Sequence, residues 1–166
     1  MNVKKRNTRI GSAVATLMVA VMAGCSSIDC SINNKVRTNY RLAGDVDTLK
    51  DTLTVSTQRI DGNDTVIYNK VVNIDSLLIP MSYNRNEDVF FFDIKRADGT
   101  SAIDTVTVTK TNKPHFESVD CAPAFFHDIQ GVSTTHNAID SIRIKKADVT
   151  YNHTKPHFYI YFKAHE

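Results

Sequence analysis

Tryptophan is missing altogether, and there are only six glycines, four prolines and three cysteines. Each shortage closes off some chemistry. Without Trp, the exposed aromatic platforms that sugars favour fall to tyrosine. Tyr159 and Tyr161, alternating with Phe158, Ile160 and Phe162, could form one such face, but they read better as core or edge packing. Six glycines could hardly build several phosphate-cradling loops, and no Gly-rich cradle motif occurs. Gly131-Val132-Ser133-Thr134 lacks the second glycine of a nucleophile elbow. No Cys-x-x-Cys is present. Glutamate is confined to Glu87, Glu117 and Glu166, so a glycosidase pair would need Asp partners that the sequence does not place. No helical period persists beyond a turn or two, and no apolar run is long enough to span a bilayer.

What is present begins with a leader. Lys4, Lys5, Arg6 and Arg9 precede the apolar stretch Ile10 to Val21, and Met22-Ala23-Gly24-Cys25 follows. This order fits a secretory signal rather than a spanning helix. The last four residues resemble a bacterial lipobox, where a precursor is cut before a cysteine that becomes lipidated; Met22 stands where Leu is commoner. The other reading is an ordinary signal cut near Ala23. One acyl chain anchors marginally, whereas a multiply acylated Cys25, palmitate included, would hold stably to the membrane. Ser26 and Ser27 follow with no Asp beside the Cys. That favours delivery to the outer membrane, with the periplasmic or surface face left open. The chain thus divides into residues 1–24 as signal, 25–35 as lipidated Cys and short tether, and 36–166 as one domain.

The leader holds four of the 20 Lys and Arg, which leaves 16 against 18 acidic residues, a formal charge of −2. The pI of 8.4 therefore belongs to the precursor, and no basic patch points to nucleic acid. Roughly 140 residues suffice for one core, not two. With Cys25 lipidated, Cys30 and Cys121 form an even pair in an oxidising compartment. Either they bond, closing a loop of about ninety residues worth about 4–5 kcal/mol in the chain-entropy account, or they remain two free thiols.

From about Val36 onward the pattern is that of strands. Thr52–Thr57, Thr105–Thr109 and Ile142–Lys145 alternate with a period of two, as half-buried strands do. Val89–Phe92 is apolar on both faces and central, and Phe158–Phe162 reads as the last strand. Asp61-Gly62-Asn63 and Asp98-Gly99 read as hairpin turns, since Asp-Gly supplies positive φ. Pro80 and Pro123 end apolar segments, and Ala122–His127 could hold a short turn of helix. The expected fold is all-β, an antiparallel sandwich of about 8–10 strands, with a calycin-like barrel as the alternative. Lys113-Pro114-His115-Phe116 recurs as Lys155-Pro156-His157-Phe158, either a duplicated unit or a coincidence of Pro-initiated strands.

A tripeptide of Asp, then Ser or Thr, then an apolar residue occurs with its hydroxyl at Thr48, Thr52, Thr65, Ser76, Thr105 and Ser141, against about one expected by chance. Asp closing a turn and Thr opening a strand would produce it. The tripeptide also resembles an O-glycosylation acceptor of bacterial envelope proteins, which makes these six hydroxyls candidate sites. His115, His127, His136, His153, His157 and His165 could ligate metal only if strand pairing gathered them, and surface or strand-end positions explain them better. Asp61-Gly62-Asn63-Asp64 offers oxygen ligands but reads as a turn. A Cys121 thiol paired with His127 or His136 is excluded if Cys121 is oxidised. No catalytic, cofactor or metal residue is assigned.

Asp51–Val55, Leu78–Tyr83, Pro114–Cys121, Phe126–Ile129 and Ile139–Ile142, with Cys30–Asn34, stand in an order that resembles a domain-of-unknown-function family of Gram-negative envelope lipoproteins. The resemblance covers nearly all of the chain after the leader. It implies that Cys30 and Cys121 recur as a pair, although Ala122 stands where Gly is commoner, and it brings no activity or catalytic residue. The expectation is a non-catalytic binding or accessory module, anchored to the membrane through Cys25, beside an envelope protein partner. A glycan-active enzyme and a small-ligand carrier are the alternatives.

Overall fold

The computed structural model describes residues 36–59 and 61–164. Cys25, Cys30, His165 and Glu166, and with them the leader and tether, lie outside the described residues. Ten strands follow one another: β1 (Arg37–Leu42), β2 (Thr52–Gln58), β3 (Asp64–Val71), β4 (Ser76–Pro80), β5 (Glu87–Lys95), β6 (Ser101–His115), β7 (Ala124–Thr134), β8 (Ile139–Ile144), β9 (Asp148–Val149) and β10 (Phe158–Phe162). They form two sheets, one of four strands in the order β4-β1-β10-β8 and one of six in the order β3-β2-β5-β6-β7-β9. All pairings are antiparallel except β1 with β10, where Tyr40 lies opposite Phe158.

The expected sandwich is present. The calycin-like barrel is not, because the two sheets stay open and meet face to face. The turn of helix expected at Ala122–His127 is also absent: the segment runs from a loop into β7, whose residues pair with Lys113–His115 of β6. Pro123 stands just ahead of the strand, where its missing N–H costs no ladder bond. The repeated Lys-Pro-His-Phe does not mark a duplicated unit. His115 ends β6 in the large sheet, whereas His157 precedes β10 in the small one.

Period-two alternation builds the core. In β5, Phe90, Phe92 and Ile94 point inward and Val89, Phe91 and Asp93 outward. Leu53, Val55, Val106 and Val108 extend this face across the large sheet, and Tyr40, Leu77, Ile79, Phe158 and Ile160 supply the opposing one. Burying each large side chain contributes about 1.5–3 kcal/mol. Tyr40 stacks on Phe158 at 4.5 Å and meets Phe92 across the layers at 6.4 Å. Both predicted Asp-Gly turns are present, with Gly62 at φ 81° and Gly99 at φ 87°.

The chain crosses from the large sheet to the small one between β7 and β8, and a buried carboxylate holds the crossing. Asp104 Oδ1 accepts from Thr135 Oγ1 at 2.8 Å and from the Asn137 N–H at 2.6 Å. Its Oδ2 accepts from the N–H groups of Ala138 at 2.6 Å and Ile139 at 2.7 Å. Burial alone would raise the Asp104 pKa, but the bonds from Asn137, Ile139, Ala138 and Thr135 outweigh it and hold the pKa below the usual carboxylate range.

Candidate functional site

At one end of the sandwich the strand alternation carries a lysine inward. Lys110 stands on β6 in phase with the buried Val106 and Val108, and Asp88 on β5 in phase with Phe90 and Phe92. Both are buried, with the Lys110 Nζ 3.4 Å from Asp88 Oδ2. The ammonium also donates to the carbonyls of Ser82 and Arg85, both at 2.6 Å, and to Asn112 Oδ1 at 3.0 Å. Asp88 Oδ2 accepts from the Ser82 N–H at 3.1 Å, and the Lys110 N–H donates to the Asn86 carbonyl. The β4–β5 loop is therefore wound around a buried ion pair. Desolvation lowers the Lys110 pKa, against the pull of Asp88.

His127 on β7 completes the network. Its Nδ1 lies 2.8 Å from Asn112 Oδ1, which already accepts from Lys110, while Asn112 Nδ2 donates to the Arg85 carbonyl at 2.8 Å. That pattern makes His127 Nδ1 the donor and leaves Nε2 as an acceptor. Burial, and then the Lys110 charge, push the His127 pKa down to about 4, so the ring is neutral near pH 7. The bulge between Thr109 and Lys110 in the β6–β7 pairing lies just ahead of this point; bulges re-aim side chains in this way.

Above the network lies an open groove of about 420 Å³, walled by Val36, Pro80, Met81, Tyr83, Phe125 and His127. Tyr83 is exposed, and its ring stacks on Phe125 at 5.1 Å. The loop pinned by Lys110 is what presents Tyr83 there. The groove can take an apolar group, with the Arg37 side chain and the neutral His127 ring as the polar parts of its lining. A larger depression of about 530 Å³ runs along Asp45–Asp51 to Lys163. It is walled largely by that one loop and includes none of the buried titratable groups.

The remaining expected sites are scattered. His115 stacks on Phe126 at 4.3 Å, with Tyr151 edge-on to both. His157 is buried, accepts the Asn39 N–H at Nδ1 (2.9 Å), and is pushed down to about 4 by burial. His136 and His153 approach backbone carbonyls through Nδ1. Among the described residues no three His, Cys, Asp or Glu side chains gather as a metal site. Thr65 and Ser76 are exposed, and Thr48, Thr52, Thr105 and Ser141 are half-buried. The Ser76 and Ser141 hydroxyls bond the preceding Asp75 and Asp140 carboxylates. Cys121 is disulfide-bonded, which removes it as a thiol nucleophile. Sequence reasoning passed over Lys110, Asp88 and Asp104. The available signal was a charged residue in phase with the core face of a strand.

No curated protein and no solved structure matches the chain. A family model described as "Family of unknown function (DUF6452)" matches residues 27–162, and the chain belongs to that family.

Proposed function

We propose that this chain is a lipoprotein of the cell envelope, anchored in the outer membrane through Cys25, whose β-sandwich is a non-catalytic binding or accessory module for an envelope protein partner. The groove carries this reading. It is largely apolar, has an aromatic pair of which Tyr83 is exposed, is lined also by Arg37 and the buried His127, and counts Val36 among its walls, where the tether enters the domain. A tether of about ten residues raises the local concentration of such a surface for partners in the same membrane. The order of basic, apolar and lipobox residues from Lys4 to Cys25 supports the anchor, and the family match opens at Ser27, just beyond it. A Cys30–Cys121 disulfide, in line with the oxidised state of Cys121, would fasten the tether to this end. Among the candidate glycosylation hydroxyls, Thr65 and Ser76 are the exposed ones.

Fractionation and intact mass test the reading together. The native chain should partition with membranes, carry acyl mass on Cys25, and show hexose increments that fall in Ser76→Ala or a Thr65→Ala variant. Cys25→Ala should leave the membrane fraction. A Cys25→Ala protein that stays in the membrane ends the anchoring claim, and an unmodified mass ends the glycan claim. A photo-crosslinker at Met81 should capture one partner in stoichiometric yield, whereas labelling no stronger than from a crosslinker at Lys95 would end the docking claim.

A further inference from the structure

The loop between β6 and β7, residues 116–123, carries two features that folding does not call for. Phe116 is 65% exposed and Val119 is 99% exposed. Val119 sits at the apex of a turn closed by the Cys121 N–H on the Ser118 carbonyl. A β-branched apolar residue is a poor choice for an exposed turn, where Asn, Asp, Gly or Pro would serve. Departures of this kind, with no structural gain, tend to mark function.

The same loop holds disulfide-bonded Cys121, and the chain has only two other cysteines, Cys25 and Cys30. If Cys25 carries lipid, Cys30 is the partner. Five residue steps then separate the anchor from the crosslink, so the Cα of Cys121 lies no more than about 24 Å from that of Cys25. Strand β6 runs fifteen residues away from this loop, about 50 Å. With that crosslink, this end of the sandwich stays within reach of the bilayer, and the Asp98-Gly99 end cannot be the one turned toward it. The local charges, Lys113 against Glu117 and Asp120, give no attraction for anionic headgroups.

We propose that this loop is a lipid-contacting foot. Phe116 and Val119 enter the interface of the leaflet that holds the anchor, in contact with uncharged or zwitterionic lipid. The inference rests on the lipidated-Cys25 reading above. Its consequence is orientation: the domain stands on its membrane with the neighbouring groove, walled by Tyr83 and Phe125, close to the bilayer surface.

The absence of Trp from the chain makes the test direct. The lipidated full-length protein, carrying Val119→Trp as its one emitter, is reconstituted into phosphatidylethanolamine–phosphatidylcholine vesicles with brominated acyl chains. Ile103→Trp is the control, sixteen residues before Val119, near the far end of β6, and 54% exposed. The Val119→Trp emission should shift to the blue and be largely lost to bromine, at a depth of about 5–10 Å. Added salt should not change it, and the Ile103→Trp emission should be unaffected. If the two variants behave alike while the protein floats with the vesicles and mass spectrometry finds acylated Cys25 and a Cys30–Cys121 peptide, the foot is refuted and the anchor stands. Missing acyl mass, or a Cys25–Cys121 crosslink, refutes both. A blue shift that needs other envelope proteins in the vesicles assigns the loop to a protein contact and also overturns the proposal.

Discussion

Asp104→Asn should destabilise the protein nearly as much as Asp104→Ala, although Asn keeps the shape and half of the acceptor capacity. In the native site each carboxylate oxygen takes two donors: Thr135 and Asn137 on one, Ala138 and Ile139 on the other. An amide retains one oxygen and turns its NH2 toward two N–H groups. If it faces Ala138 and Ile139, two charge-assisted bonds worth about 1.5–3 kcal/mol each are lost, and two buried donors are left unpaired. Because such losses are not additive, the expected cost is about 3–5 kcal/mol, against a total stability of about 5–15 kcal/mol for a domain. Urea denaturation of the purified protein at pH 7, followed by circular dichroism, reads this as a fall in midpoint at unchanged slope. The pH dependence has a definite sign. The folded pKa of Asp104 is lowered, so its contribution is present in full above the unfolded value near 3.9 and is lost as pH falls through the folded value. The gap between wild type and Asp104→Asn should therefore narrow below about pH 4. A cost under about 1 kcal/mol at pH 7 would refute the reasoning, as would a gap that stays constant into that acid range.

His127 and His157 are buried neutral, with folded pKa values of about 4, so the unfolded chain binds protons that the folded one does not. Stability should fall as pH drops from about 6.5 toward 4, by up to about 1.4 kcal/mol per pH unit for each ring, and His157→Gln should reduce that slope; a flat profile across this window would contradict both assignments. Lys110→Met leaves the buried Asp88 carboxylate without its ammonium and should cost about 3–5 kcal/mol in thermal or urea melts. Adding Asp88→Asn should recover part of that loss, and a double variant no better than the single one would count against the ion pair as the cause.

Much of the fold is legible in the chain because its signals are local. A strand that buries one face must alternate, and Thr52–Thr57 and Thr105–Thr109 do so, while the all-apolar Val89–Phe92 marks a central strand. A tight hairpin needs positive φ, which Asp-Gly supplies at Gly62 and Gly99. The misreading at Ala122–His127 has a physical cause: a short apolar run after Pro suits either a turn of helix or a strand start, and pairing with Lys113–His115 decided for the strand. The repeated Lys-Pro-His-Phe failed as a sign of duplication because four residues do not specify which sheet receives them.

The sequence by itself determined the strand alternation, the turns and the all-β class, since each depends on neighbours a few residues away. Tertiary structure decided which charged residues end up inside. Lys110 meets Asp88 and the β4–β5 loop, Asn112 links it to His127, and Asp104 closes on residues about thirty positions later. Each of these contacts joins segments far apart in the chain, brought together only when the two sheets pack. The sequence shows a charge in phase with a strand's core face; only the packed sandwich shows what neutralises it.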